Sequence, residues 1–163
     1  MTSETEGLTH LDDEGRAAMV DVSPKEITTR RAIAEGRISM AQETLDQIRS
    51  GKSAKGDPIQ VAELAGIMGG KKTADLIPLC HQLPGTTIKV ELEADEALPG
   101  ILARAEATVS GQTGVEMEAL TAVSVALLTV YDMAKAVDRG MRIEGIRLVR
   151  KEGGRSGTWT VDE

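Results

Sequence analysis

The stretch TIKVELEADEALPGILARAEATV, residues 87–109, sets the architecture. In its first half Ile88, Val90 and Leu92 alternate with Lys89, Glu91 and Glu93. In its second half Ala103, Ala105, Ala107 and Val109 alternate with Arg104, Glu106 and Thr108. Strict alternation marks a half-buried strand, and the turn chemistry of ADEALPG (residues 94–100) joins the two as an antiparallel hairpin. Upstream, residues 28–40 alternate unevenly through Ala32, Ala34 and Ile38 and read as a strand, with Gly36 marking a bend or bulge. Ser39 is the expected cap of a short helix reaching Arg49, with Leu45 and Ile48 facing inward. Asp57 followed by Pro58 starts the next helix, pairing a capping carboxylate with proline in the first turn. Val61, Leu64, Ala65 and Met68 supply its apolar stripe, Gly69 and Gly70 weaken it ahead of Lys71 and Lys72, and Pro78 blocks continuation beyond Ile77. After the hairpin comes a long helix, GVEMEALTAVSVALLTVYDMAKAV, and then a strand over residues 141–150. Setting the short first helix aside leaves β-α-β-β-α-β, the split pattern of a ferredoxin-like α+β fold: an antiparallel sheet with helices on one face. A further short strand is expected over residues 19–22, MVDV, stopped by Ser23 and Pro24.

At 163 residues the chain suits one domain with a real core. Residues 1–15 read as a flexible polar tail, 16–150 as a single ferredoxin-like domain, and 151–163 as a glycine-rich C-terminal tail. With no Phe, one Trp and one Tyr, the core must be built from Leu, Ile, Val, Met and Ala. The net charge of −7 argues against a general nucleic-acid binder, which needs a basic footprint, but leaves room for a local cluster that holds a small anion. The one cysteine, Cys80, rules out an intrachain disulfide framework and fits a reducing compartment. The acidic start carries no signal peptide, and the apolar run over 119–131, broken by Thr121, Ser124 and Thr129, falls short of a membrane span. A soluble, cytoplasmic protein with no membrane or nucleic-acid partner is expected.

The long helix is where chemistry is best sought. Asp132 and Lys135, three apart, share a helical face at its tail, and Glu116 and Glu118 flank Met117 at its head. On residue types alone, an ordinary surface ion pair worth well under about 1 kcal/mol accounts for the first pair. Acids attracted to a helix N-terminus account for the second. If the head is still extended, Glu116 and Glu118 project to one side, where they can accept hydrogen bonds from a guanine-type edge. Glu118 and Asp132 lie 14 residues apart, about 21 Å along a helix. No single small-molecule centre touches both from one helix, so either the ends serve different sites or each pocket is shared between subunits. The helix is apolar on nearly all sides, which itself predicts an oligomer.

Four blocks resemble the cyclic pyranopterin monophosphate synthase family, also called molybdenum cofactor biosynthesis protein C. They are LTHLDDEGRAAMVDVS, KGDPIQVAELAGIMGGKKTADLIPLCHQL, TGVEMEALTAVSVALLTVYDMAKAV and RLVRKEGGRSG, and they cover most of the chain. The resemblance implies a hexamer, a trimer of dimers with active sites between subunits, acting as a lyase without a resident cofactor. It implies a substrate made by an upstream radical enzyme, (8S)-3',8-cyclo-7,8-dihydroguanosine 5'-triphosphate, rearranged to cyclic pyranopterin monophosphate with release of pyrophosphate. By position Asp132 matches the active-site aspartate, and Lys55 and Lys135 match the lysines assigned to proton transfer. Leu79, Cys80, His81, Met117 and Glu118 match substrate contacts. Glu116, Lys71, Asp21, Lys25, Arg30 and Lys151 match further active-site or loop positions. Departures are Gln82 for a usual proline, Glu152 for serine or alanine, and Arg155 for lysine.

An unperturbed lysine is a poor base at neutral pH, so Lys55 and Lys135 are expected to be acidified by burial or neighbouring cations, with Asp132 orienting Lys135. Cys80 and His81 are adjacent and point apart on an extended chain, which disfavours a nucleophilic dyad. Cys80 reads as a small apolar residue and His81 as a hydrogen-bonder to ligand. His10 is the only other histidine, and no zinc spacing exists, so no metal site is expected; Mg²⁺ can arrive with the triphosphate. Arg30, Arg31, Lys55, Lys71, Lys72 and Lys151 are either scattered solvated charge or the lining of an anion pocket.

Overall fold

The hairpin forms in register, with Ile88 opposite Ala107, Val90 opposite Ala105 and Leu92 opposite Ala103, so the apolar sets of both strands meet on one face. The structure is a computed structural model that describes residues 10–12, 14–51 and 56–161. In chain order the elements are β1 (Thr28–Ser39), α1 (Gln42–Arg49), α2 (Pro58–Lys71), α3 (Thr73–Leu76), β2 (Thr87–Asp95), β3 (Gly100–Gly111), α4 (Glu116–Ala134), β4 (Arg142–Glu152) and β5 (Trp159–Thr160). The strands make one antiparallel sheet in the order β2-β3-β1-β4-β5. This is the ferredoxin-like α+β arrangement, with α2 and α4 side by side over one face. Ala32, Ala34 and Ile38 of β1 and the buried alanines of β3 form the floor under Ala122, Val123, Ala126 and Leu127 of α4. Small side chains on the sheet let the helices sit close, and Gly36 takes this to its limit. A Cβ there would come within 2.9 Å of Ile146 Cγ1 and 3.0 Å of Val123 Cγ1.

Four expectations need correction. Residues 19–22 do not form a strand: their carbonyls serve the loop and the site instead, Val22 O accepting from Lys25 N–H at 2.9 Å and Val20 O bonding the His81 ring. Ser39 does not cap α1, for it closes β1; Asp138 does the capping from the α4–β4 loop, accepting from Ala41 N–H at 3.0 Å and from the Thr44 hydroxyl at 3.4 Å. The last strand runs on to Glu152, and Lys151 pairs with Trp159 in β5.

The fourth correction concerns α2, which is capped as expected by Asp57, Oδ1 accepting from Ile59 N–H at 2.9 Å. Its apolar stripe faces outward, Val61 being 38% exposed, Leu64 59% and Met68 54%. The buried side is Ala62, Gly66, Gly69 and Gly70, which pack against α4 and β2. The glycines thus form the helix contact rather than weakening it, and Val61, Leu64 and Met68 are left exposed.

Candidate active site

Glu116 is the first residue of α4, so the head is already helical and the two glutamates diverge. Two residues of helix turn about 200°, which corrects the expectation of a shared side. Glu116 turns toward β4, where Lys151 Nζ lies 3.3 Å from Glu116 Oε1, both side chains half-buried. Glu118 turns inward and is 6% exposed. Burial pushes its carboxyl above the ordinary glutamate value, and the charge of Glu116 adds to this.

Pro78 ends the α3 turn, and the irregular chain after it brings Leu79, Cys80 and His81 against Met117 and Glu118 around a cavity of about 350 Å³. Burial, then Glu118 and Glu116, push the Cys80 thiol up, so it stays protonated and inert at neutral pH. His81 Nε2 lies 2.8 Å from Val20 O. A carbonyl only accepts, so Nε2 carries the proton there and Nδ1 is the ring's remaining polar edge. Asp21 holds the near end of the same segment. Its carboxylate accepts from Ser23 N–H at 2.9 Å, a bond that lowers its pKa, with a lesser pull from His81.

A larger cavity of about 990 Å³ opens beside the first and shares Lys25, Thr113, Gly114 and Glu116 with it. Its cations are Lys25, Arg30, Arg31, Lys151 and Arg155. Arg30 is steered by main-chain oxygens at the end of β3, Nε donating to Gly111 O at 3.3 Å and Nη2 to Gln112 O at 3.4 Å. Gly154, at φ +70, gives the guanidinium its room: a Cβ there would collide with Arg30 Nη1. Glu152 is held by Arg150 at 2.5 Å and Arg31 at 3.4 Å, so its charge is matched within the sheet rather than directed at a ligand. On the other side a third cavity of about 500 Å³ contains Lys71 and Gln82 and shares His81, Leu83 and Glu118 with the central one. The three adjoin through shared lining residues as one partitioned trough, with five cations against Glu26, Glu116 and Glu152 at one end and the buried Glu118 carboxylate in the wall between the other two.

The trough gathers Lys25, Arg30, Lys71, Leu79, Cys80, His81, Glu116, Met117, Glu118 and Lys151, whereas Asp21 lines none of its three parts. Lys72 lines none of its three parts. Asp132 and Lys135 are at the other end of α4, about 21 Å from Glu118 by helix rise. They pair at 2.6 Å on the surface, both side chains more than half exposed. The Asp132 hydrogen bond raises the Lys135 pKa, the reverse of the expected acidification. Lys55 lies outside the described residues. Sequence reasoning missed Gln112, Thr113, Gly114 and the N-terminal residues His10, Val20 and Val22 as lining. The block TGVEMEA contained Thr113 and Gly114, but nothing in a glutamine's neighbours signals its role. Among the described residues no group of His, Cys, Asp and Glu gathers for a metal ion.

Residues 19–154 match the model of the MoaC family, a span that contains every described residue the sequence assigned to the site. The chain belongs to that family. It is 62% identical over 151 residues to a cyclic pyranopterin monophosphate synthase of Cereibacter sphaeroides, covering 93% of this chain and 95% of that protein. It is 64% identical to one from a Methylobacterium species over 155 residues, 95% and 97% of the two chains. One from Dinoroseobacter shibae is 60% identical over 156 residues, 96% and 99%. The resemblance seen in the four blocks therefore holds over nearly the whole chain, and the chain is an enzyme, a lyase of molybdenum cofactor biosynthesis.

Proposed function

We propose that the chain converts (8S)-3',8-cyclo-7,8-dihydroguanosine 5'-triphosphate, supplied by an upstream radical enzyme, to cyclic pyranopterin monophosphate with release of pyrophosphate. The observation that carries the reading is a row of adjoining cavities with a cation-rich end that suits a phosphate chain and the buried Glu118 carboxylate, beside Leu79, Cys80 and His81, that suits a guanine-derived edge. Making a cyclic monophosphate from a triphosphate requires a sugar-derived hydroxyl oxygen to bond the α-phosphorus while the bridging P–O bond to the β-phosphate breaks. The hydroxyl proton needs a base, and the departing pyrophosphate needs positive charge. Lys25, Arg30 and Lys151 supply the charge, with Lys71 at the far end and any Mg²⁺ arriving with the triphosphate. Leu79, Cys80, His81, Met117 and Glu118 hold the bicyclic portion.

Proton transfer falls to Lys55 and Lys135, with Asp132 orienting the latter. Within one chain Asp132 makes Lys135 more basic and keeps it charged. Placing Lys135 against the cationic trough of another protomer reverses that balance, because neighbouring cations favour the neutral amine. The active unit is therefore a homo-oligomer, a hexamer built as a trimer of dimers, with each pocket shared and the outward stripe of α2 buried in contacts. The enzyme is soluble and cytoplasmic. Incubation with the cyclised nucleotide should release pyrophosphate, and Asp132→Asn and Lys151→Ala should each lower the rate by at least about tenfold, equivalent to about 1.4 kcal/mol of transition-state stabilisation. Unchanged turnover in both variants excludes these roles.

A further inference from the structure

Gln112 stands where β3 hands over to α4, and nothing above gives it a task. Its side-chain amide donates to two carbonyls at once, Ser23 O and Lys25 O, each at 3.0 Å. The segment it grips is already a tight turn, Lys25 N–H donating to Val22 O and Ser23 N–H to Asp21 Oδ1, both at 2.9 Å. Among the described residues, the two amide bonds are the hydrogen bonds that tie residues 23–25 to the end of β3. The carbonyl of the same residue accepts from Arg30 Nη2 at 3.4 Å. One glutamine thus meets the main chain of one trough cation and the side chain of another.

Lys25 lines both the cationic cavity and the central one, at their seam. Its side chain is long and flexible, so ordering it on a wandering loop adds backbone entropy to the rotamer entropy lost on binding. Fixing residues 23–25 in advance removes the first part. We propose that Gln112 is a positioning residue that sets Lys25 at the seam and so governs how tightly the phosphate end of the substrate is held. The inference rests on the reading that the cationic cavity takes the phosphates. It is specific about chemistry: two carbonyl oxygens demand donors, so a glutamate of the same shape would turn oxygens toward oxygens.

The test is pyrophosphate binding to the full-length assembled protein by titration calorimetry, with kcat and KM for the cyclised nucleotide measured alongside. Lys25→Ala should weaken pyrophosphate binding about tenfold, as expected for loss of one charge-assisted contact of about 1.4 kcal/mol. Gln112→Ala should weaken it several-fold, raising KM more than it lowers kcat, and Gln112→Glu should do more harm than Gln112→Ala. The double variant Lys25→Ala/Gln112→Ala should bind no worse than Lys25→Ala alone, since the tether has nothing left to place. If the two losses multiply, or if Lys25→Ala weakens binding and Gln112→Ala does not, the positioning role is overturned. If Lys25→Ala itself leaves binding unchanged, the phosphate reading falls and takes this inference with it.

Discussion

Glu118 sits at 6% exposure in the wall between two cavities, and burial raises its pKa, with Glu116 adding repulsion. The folded chain therefore binds this proton more tightly than the unfolded one. Stability is penalised at pH above the raised value, and the penalty fades as pH falls toward the ordinary glutamate value of 4.5. Glu118→Gln is accordingly expected to stabilise the fold near pH 8 by about 1.4 kcal/mol for each pK unit of elevation, seen as a higher Tm. Its advantage should shrink steadily on acidification; calorimetric Tm values at several pH values decide, and an advantage independent of pH would show that the carboxylate is not the source. Gly154 offers a second test. Gly154 and Gly157 both have positive φ, +70 and +66, so alanine strains the backbone at either, by about 1 kcal/mol. Only at Gly154 would the new Cβ strike Arg30, whereas at Gly157 it meets open space. Pyrophosphate affinity should thus fall several-fold in Gly154→Ala and stay near the parent value in Gly157→Ala. Much of this site was readable, because strings such as DLIPLCH and GVEMEALTA carry their residues in a fixed local order. Gln112 and Gly154 were not, since each acts on a side chain or carbonyl more than 80 residues away in sequence and leaves no local pattern.

The helix α2 shows where pattern and packing part. Its spacing of Val61, Leu64, Ala65 and Met68 is what an inward stripe looks like, yet the inward side is Ala62, Gly66, Gly69 and Gly70. Periodicity reports that a face is apolar; it does not say whether the cover comes from the same chain. The hairpin β2–β3 was read correctly because both strands have one charged face and one apolar face, and nothing competes for the apolar one. Similarly α4, at 19 residues, is long and apolar enough by length and composition alone to pass for a membrane span, a test that the buried core helix of a soluble protein passes equally. In the fold it lies over the sheet as the central core helix, with Ala119, Ala122, Val123, Ala126 and Leu127 buried. The close approach of α2 and α4 depends on the glycines. A Cβ at Gly66 would come 2.9 Å from Ala122 O, main chain that cannot swing aside, and one at Gly69 would come 2.6 Å from Val125 Cγ2. Alanine adds up to about 1 kcal/mol of helix propensity, while overpacking costs about 1–3 kcal/mol. Gly66→Ala is therefore expected to be net destabilising in urea titration through packing, whereas Gly51→Ala, in open space at φ +64, should show only the backbone strain of about 1 kcal/mol.

The chain carries a net charge of −7, yet Lys25, Arg30, Arg31, Lys151 and Arg155 gather around one cavity. The catalytic pair proposed to work there, Asp132 and Lys135, is on the far end of the helix whose near end forms the wall. For both ends to act on one substrate, as proposed, a second copy must close that distance. The exposed Val61, Leu64 and Met68 of α2 and Leu128 of α4 give a second copy an apolar surface to cover. Leu64→Lys puts a charge on that surface and should shift the protein toward smaller species in sedimentation, with activity falling in parallel. Mixing distinguishes shared pockets from a merely stabilising contact. A chain carrying Lys135→Ala and a chain carrying Lys151→Ala are each expected to be nearly inactive alone. Refolded together, they form assemblies in which some pockets draw an intact trough from one chain and an intact Lys135 from the other. For random pairing about a two-fold axis, about a quarter of the parent activity should return. Each Lys135→Ala/Lys151→Ala mixed dimer then holds one fully intact pocket and one doubly impaired one. Recovery requires that the two lysines act on one substrate from different chains. If both belonged to the same chain's site, no mixture would regain activity whatever the pairing, and the shared pocket would be refuted even with the oligomer intact.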